Sequence, residues 1–173
     1  MTTSRADTPI LITFCDLTRY TVNAARTPDR ELGDLMDAHY EHVGERLGAA
    51  GGRVVKFIGD ATLAVFPAEQ ADAGVRALLE LRRDVDAWFA ARGWDSRLIV
   101  KVHFGSAAAG DYGVRGDKRY DLLGSAVNLC ATLPSRGIAL SPEAFRRLAP
   151  ETRKAFQKHT PPMVYIPVGD PRP

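Results

Sequence analysis

Two apolar runs, RVVKFI (53–58) and ATLAVF (61–66), stand with only Gly59 and Asp60 between them. Runs of this length, rich in β-branched and aromatic residues, read as strands, and a two-residue link leaves them no arrangement but a tight antiparallel hairpin. Glycine supplies the positive φ that the primed two-residue turns require. The hairpin therefore holds a carboxylate, Asp60, at its tip. A second acid occupies a comparable place. The run PILITFCD (9–16), bounded by Pro9 and the turn-like TRYT, reads as a buried strand, and it ends on Asp16.

The rest of the chain alternates between the two periods. After Thr27 and Pro28, read as N-cap and first helical residue, Leu32, Leu35, Met36, Tyr40, Val43 and Leu47 recur at helical spacing until Gly51-Gly52 stops them. From Asp72 to Arg92, Val75, Leu78, Leu79, Val85, Trp88 and Phe89 mark a second helix, and SRLIVKVHFG (96–105) a third core strand. The glycine-rich AAAGDYGVRGDKRYDLLG then reads as an extended hairpin or arm. SAVNLCATL (125–133) reads as a short helix and GIALS as a short strand. SPEAFRRLAPETRKAF reads as one helix opened by Ser141-Pro142, and MVYIPV as a closing strand. With no repeat, linker or low-complexity segment, residues 1–173 read as a single α/β domain with a partly antiparallel sheet.

Composition narrows the function classes. At 173 residues and 45% apolar content, one domain with a real core is expected. The 23 basic and 21 acidic residues are interspersed, which reads as solvated surface and not as a nucleic-acid footprint. Cys15 and Cys130 lack CxxC spacing and read as structural thiols of a reducing compartment, and the four histidines show no metal-ligand spacing. No stretch approaches 18 apolar residues and the polar start has no apolar signal core, so a cytoplasmic protein without a membrane segment is expected.

Asp16 and Asp60 matter as a pair. Neighbouring strands can bring both carboxylates to one edge of the sheet, and two aspartates completed by phosphate and water oxygens form the ligand set that Mg²⁺ or Mn²⁺ prefers. Taken singly, each is an ordinary turn or capping residue.

Four stretches, FCDLTRYT, GGRVVKFIGDATLAVF, VHFGSAAAGDYG and KRYDLLGSAVNLCATL, taken in this order and spacing, resemble the class III nucleotide cyclases, the adenylyl and guanylyl cyclase catalytic domains. The resemblance runs from about residue 9 to 141. It implies a ferredoxin-like, palm-type fold, a mixed and largely antiparallel sheet flanked by helices. It implies that Asp16, Asp60 and the backbone carbonyl of Leu17 hold two Mg²⁺ or Mn²⁺ ions. Those ions would bridge a triphosphate while the ribose 3′-hydroxyl attacks the α-phosphorus. Lys56 matches the lysine that reads adenine where guanylyl cyclases usually carry glutamate, and Asp121 matches its partner acid. Guanine would leave both groups mispaired, so ATP is the implied substrate and guanylate cyclase the less favoured reading. Asn128 matches the asparagine that orients the ribose.

The resemblance breaks at two places. One helical turn beyond Asn128 the family usually places an arginine that stabilises charge on the α-phosphate, and here stands Thr132, whose neutral hydroxyl is no substitute for a guanidinium. Arg136 lies a further turn along and would share that helix face if the helix continued, against which Pro134 argues. The triphosphate lysine expected from the last strands has only a loose counterpart in Lys158. The family further implies a homodimer with active sites at the interface. A single chain bearing Asp16, Asp60, Lys56, Asp121 and Asn128 is self-complementary, and two-fold pairing would create two equivalent sites. Two functions of different class follow: adenylate cyclase, or a catalytically weak or silent cyclase-homology module that binds nucleotide and regulates by dimerising.

Overall fold

The computed structural model describes residues 6–173; the first five residues of the polar start lie outside the described residues. The chain runs β1 (Ala6–Leu17), α1 (Tyr20–Ala24), α2 (Asp29–Ala49), β2 (Arg53–Ile58), β3 (Ala61–Pro67), a 3₁₀ turn (Ala68–Gln70) and α3 (Ala71–Ala90). It continues with β4 (Leu98–Val114), β5 (Asp117–Leu123), α4 (Ser125–Thr132), β6 (Ile138–Leu140), α5 (Pro142–Phe145), α6 (Pro150–Arg153), β7 (Phe156–His159) and β8 (Val164–Pro167). The eight strands form one open sheet in the order β2-β3-β1-β4-β6-β8-β7, with β5 folded back on β4. Every pairing is antiparallel except that of β4 with β6. The expected mixed, largely antiparallel palm with flanking helices is what forms.

The central strands are covered on both faces, which is why β1 reads as an unbroken apolar run and not as an alternation. Leu11, Cys15 and Leu17 of β1 pack with Ala64 and Phe66 of β3 and with Leu98, Val100 and Val102 of β4 beneath α2 and α3. The intervening Ile10 and Ile12, with Leu63 and Val65, face α4 through Ala126 and Cys130. Helix α4 lies close to the sheet because residue 105 is glycine. A Cβ there would come within 2.7 Å of the Cβ of Ala126. The thiol of Cys130 points to the carbonyls of Ile12 and Lys101, both at 3.3 Å, which seats the helix over β1 and β4.

Four expectations need correction. The predicted helix after Ser141 is two single turns: Ala149, extended at ψ 152 as residues before proline tend to be, breaks it, and Pro150 opens α6. Ser141 does cap α5, its hydroxyl accepting from the Ala144 amide at 3.2 Å. Phe156, read as the last residue of that helix, instead opens the edge strand β7, which pairs with β8. The core strand and the first half of the arm are one 17-residue strand, β4. Finally, α2 begins at Asp29 with Pro28 as its extended flanking residue, and the turn-like stretch before it holds the single turn α1. No helix among the described residues is long and apolar enough to cross a membrane.

Candidate active site

Asp16 is aligned with Ile99 of β4 and follows Phe14, Ile12 and Ile10 on the face toward α4. The β2–β3 hairpin closes through Gly59 at φ 60, while Asp60 keeps a negative φ, the pattern of a type II′ turn. The Asp60 carboxylate then accepts a hydrogen bond from the backbone amide of Leu17 at 3.1 Å. This bond ties the tip of the hairpin to the end of β1 and sets the two acids side by side. Burial pushes the Asp16 carboxyl above its ordinary value; nearby Lys101 opposes that rise, and the Asp60 charge adds to it. A partly buried carboxyl whose proton affinity is raised by burial and by a second carboxylate beside it offers paired oxygen ligands of the kind a divalent cation takes. No third His, Cys, Asp or Glu joins them in a larger ligand cluster among the described residues.

Lys56 reaches this face through an irregularity in β2. Val54 pairs with Ala64, but Lys56 pairs with Leu63, so Val55 is an extra residue. Without this bulge Lys56 would oppose Thr62 and point into the core under α2; with it, the side chain emerges beside Leu63. The β4–β5 arm curls across the same face until it meets β2. There the Lys56 ammonium donates to the Asp121 carboxylate at 2.6 Å, and the Arg53 guanidinium covers the Tyr120 ring at 3.8 Å. The second oxygen of Asp121 accepts from the Leu122 amide at 2.8 Å. The structure thus brings together, from positions 65 residues apart, the pair expected to read the base.

On α4, Ala126 and Cys130 face the sheet and Asn128 and Thr132 are exposed. The Thr132 hydroxyl donates back to its own helix, with the carbonyls of Asn128 at 3.0 Å and Leu129 at 3.2 Å as acceptors. Such back-bonding is a habit of helical threonine. The helix ends there, because Leu133 precedes Pro134 and is extended at ψ 132. Arg136 consequently does not share a helix face with Thr132, which corrects the premise of its expected reach. Lys158 lies exposed on β7, at the opposite edge of the sheet from the hairpin, and is not brought to the acids within this chain.

One residue of the site escaped the sequence reading. Lys101 lies on the β4 face that carries α4, aligned with Phe14. Its ammonium donates to the Ala131 carbonyl in the last turn of α4 at 2.8 Å, close enough to Asp16 to oppose its protonation. The signal was present: a lone lysine inside LIVKVHF has no place in a buried strand without a partner.

Comparison with known proteins fits this geometry. Residues 3–165 match the model of the adenylate and guanylate cyclase catalytic domain. An adenylate cyclase of Anabaena cylindrica is 23% identical over 130 residues; the match covers 70% of this chain but only 26% of that protein, so the chain spans about a quarter of its relative's length. Among solved structures, the adenylyl cyclase CyaB of P. aeruginosa superposes with a TM-score of 0.83 at 18% identity over 98% of both chains. The guanylate cyclase domain of RhGC from Catenaria anguillulae, in complex with GTP, gives 0.76 at 20% identity over 91% of this chain and 88% of that one. The fold is common to relatives named for either nucleotide.

Proposed function

Because the chain belongs to the adenylate and guanylate cyclase catalytic domain family, we propose that it converts ATP to 3′,5′-cyclic AMP and pyrophosphate as a cytoplasmic homodimer. The observation that carries this reading is the bond from the Leu17 amide to Asp60, which sets a second carboxylate beside Asp16. Asp16, Asp60 and the Leu17 carbonyl would hold two Mg²⁺ or Mn²⁺ ions. Such ions, once bound, offset triphosphate charge and ease loss of the 3′-hydroxyl proton. In the reaction the ribose 3′-oxygen bonds to the α-phosphorus, the bond from that phosphorus to the bridging oxygen breaks, and pyrophosphate departs with the electron pair.

The chain's own groups have separable roles. Lys56 donates to a ring nitrogen of adenine while Asp121 accepts from the amino group, and their contact at 2.6 Å supports a base reader assembled before substrate arrives. Asn128 orients the ribose. Lys101, beside Asp16, is the cation best placed on this face to meet phosphate. Exposed apolar side chains support the dimer, for Ile58 at the hairpin and Leu123 and Leu129 around α4 are 53%, 52% and 44% accessible.

One observation favours the second reading, a weak or silent regulatory module. The Thr132 hydroxyl is committed to its own helix, and losing one preorganised donor to the transition state costs on the order of 10²- to 10³-fold in rate. Cyclic AMP formation from ATP with excess Mn²⁺, run beside Asp60→Ala, decides between them. Turnover abolished in the variant supports the cyclase. No turnover from a folded dimer that still binds ATP supports the module, and preferential use of GTP would overturn the adenine assignment.

A further inference from the structure

We infer that Tyr40, a residue of α2 on the far side of the sheet from the Asp16 carboxylate, is a positioning residue for Asp60. The inference rests on reading Asp16 and Asp60 as a divalent-ion pair. The Tyr40 ring stacks on Phe57 of β2, with centroids 4.1 Å apart and planes at 20°. From there its hydroxyl donates to the Gly59 carbonyl at 2.6 Å. That carbonyl belongs to the peptide joining Gly59 to Asp60, the central peptide of the two-residue turn.

The central peptide is the one soft point of such a turn. Rotating it by half a turn converts type II′ into type I′ and requires positive φ at both central residues. Glycine 59 tolerates either form, whereas Asp60 would be driven into the left-handed region that residues with a Cβ avoid. A donor fixed to the Gly59 carbonyl selects the form in which Asp60 keeps a negative φ and its carboxylate accepts from the Leu17 amide. Asp60 is thus held twice: at its carboxylate by β1, and through its preceding peptide by α2. Tyr40 lies close enough to Asp60 to feel its charge, but its hydroxyl bonds the Gly59 carbonyl and neither acid, so its grip on Asp60 passes through the turn.

Three forms of the full chain test this: wild type, Tyr40→Phe, which keeps the stacking and removes only the hydroxyl, and Asp60→Ala. Mn²⁺ alone is titrated against each, with the paramagnetic resonance signal of free Mn²⁺ reporting binding. Thermal melting and the Mn²⁺ concentration for half-maximal cyclic AMP formation are measured alongside. Tyr40→Phe is expected to need about tenfold more Mn²⁺ in both measurements, as loss of a group orienting a metal ligand does elsewhere, with a melting midpoint close to wild type. If Asp60→Ala weakens Mn²⁺ binding and Tyr40→Phe does not, the role of Tyr40 is overturned while the metal pair stands. If Asp60→Ala binds Mn²⁺ as wild type does, the metal pair itself fails and the role of Tyr40 falls with it. A Tyr40→Phe protein whose Mn²⁺ loss tracks unfolding also overturns it.

Discussion

At the hairpin end of the sheet, Asp60 is gripped by the Leu17 amide and its turn by the Tyr40 hydroxyl, between strands paired on both sides of β1. At the α4 end, Asn128 and Thr132 project from an eight-residue helix that has no side-chain N-cap and stops at Leu133. What anchors α4 is its underside, through Ala126, Cys130 and the Lys101 bond to Ala131. Its outer face contributes little to the fold. The contrast separates two demands that a phosphoryl-transfer site makes on a protein. Groups that hold ions must be placed within fractions of an ångström, and a sheet provides that. A group that stabilises developing charge can be lost without unfolding anything, because it protrudes into solvent from a surface that packing does not constrain.

The largest expected effect breaks the hairpin end. Asp60→Ala removes one of the two carboxylates proposed as metal ligands and the link to Leu17, and cyclic AMP formation should fall by at least about 10³-fold, more than loss of a single transition-state donor elsewhere. The variant should still fold, since the strands on either side of the turn keep their pairing.

Next comes acid stability, set by the helix that supports the hairpin. His39, on α2 beside Tyr40, is 1% exposed among Trp88 and Phe89. Neither of its ring nitrogens has a hydrogen-bonding partner in the protein. Burial, aided by the neighbouring His42, pushes its pKa down to about 4. The native state therefore holds His39 neutral while the unfolded chain takes up a proton below about 6.5. Stability is fully present above that value and is lost as pH falls toward 4, by up to about 3 kcal/mol. Urea unfolding at pH 7 and pH 4.5 should show the loss in wild type and a flatter profile in His39→Leu. Equal slopes would mean that the ring is not held neutral.

The α4 end should respond in the opposite sense. Thr132→Arg replaces a hydroxyl bonded to its own helix with a guanidinium on an exposed turn, and turnover should rise by roughly 10²-fold if the missing donor limits the rate. Thermal stability should hardly change, because the position is exposed. A variant with unchanged turnover would mean that Lys101 or another cation already meets the α-phosphate.

Legibility in the sequence follows the same division. The hairpin, β1 and the two long helices could be read because their signals are local: a two-residue turn, a β-branched run, a heptad-like apolar face. Those signals allowed Asp16 and Asp60 to meet at one edge of the sheet without requiring it; the pairing itself was expected from the family resemblance. The bulge at Val55 could not be read, because a one-residue slip leaves no mark on an apolar run, yet it decides which face Lys56 occupies. The meeting of Lys56 with Asp121 depends on how far the β4–β5 arm curls, which is a property of the sheet and not of either segment. Lys101 and Ala149-Pro150 are different. The half-buried lysine and the proline that splits α5 from α6 were both in plain view, outweighed by the apolar and helical patterns around them.

The smallest expected effect concerns base choice, where the two ends meet. The Lys56–Asp121 pair is partly exposed, with side-chain accessibilities of 42% and 23%, so each contact with a base edge is worth the lower end of the usual range, about 1 kcal/mol. Lys56→Glu alone sets a second carboxylate against Asp121 and should cost about tenfold in ATP turnover without creating a guanine reader, since two acids offer no donor to the guanine carbonyl oxygen. Adding Asp121→Asn restores a donor beside the new acceptor, which is the pattern guanine requires. The double variant should therefore move the ratio of kcat/KM for ATP over GTP toward GTP by more than the two single changes combined, as coupled neighbours do. Competition between the two nucleotides at equal concentration measures the shift. Additive changes would place the base away from this pair and leave the arm a purely structural role.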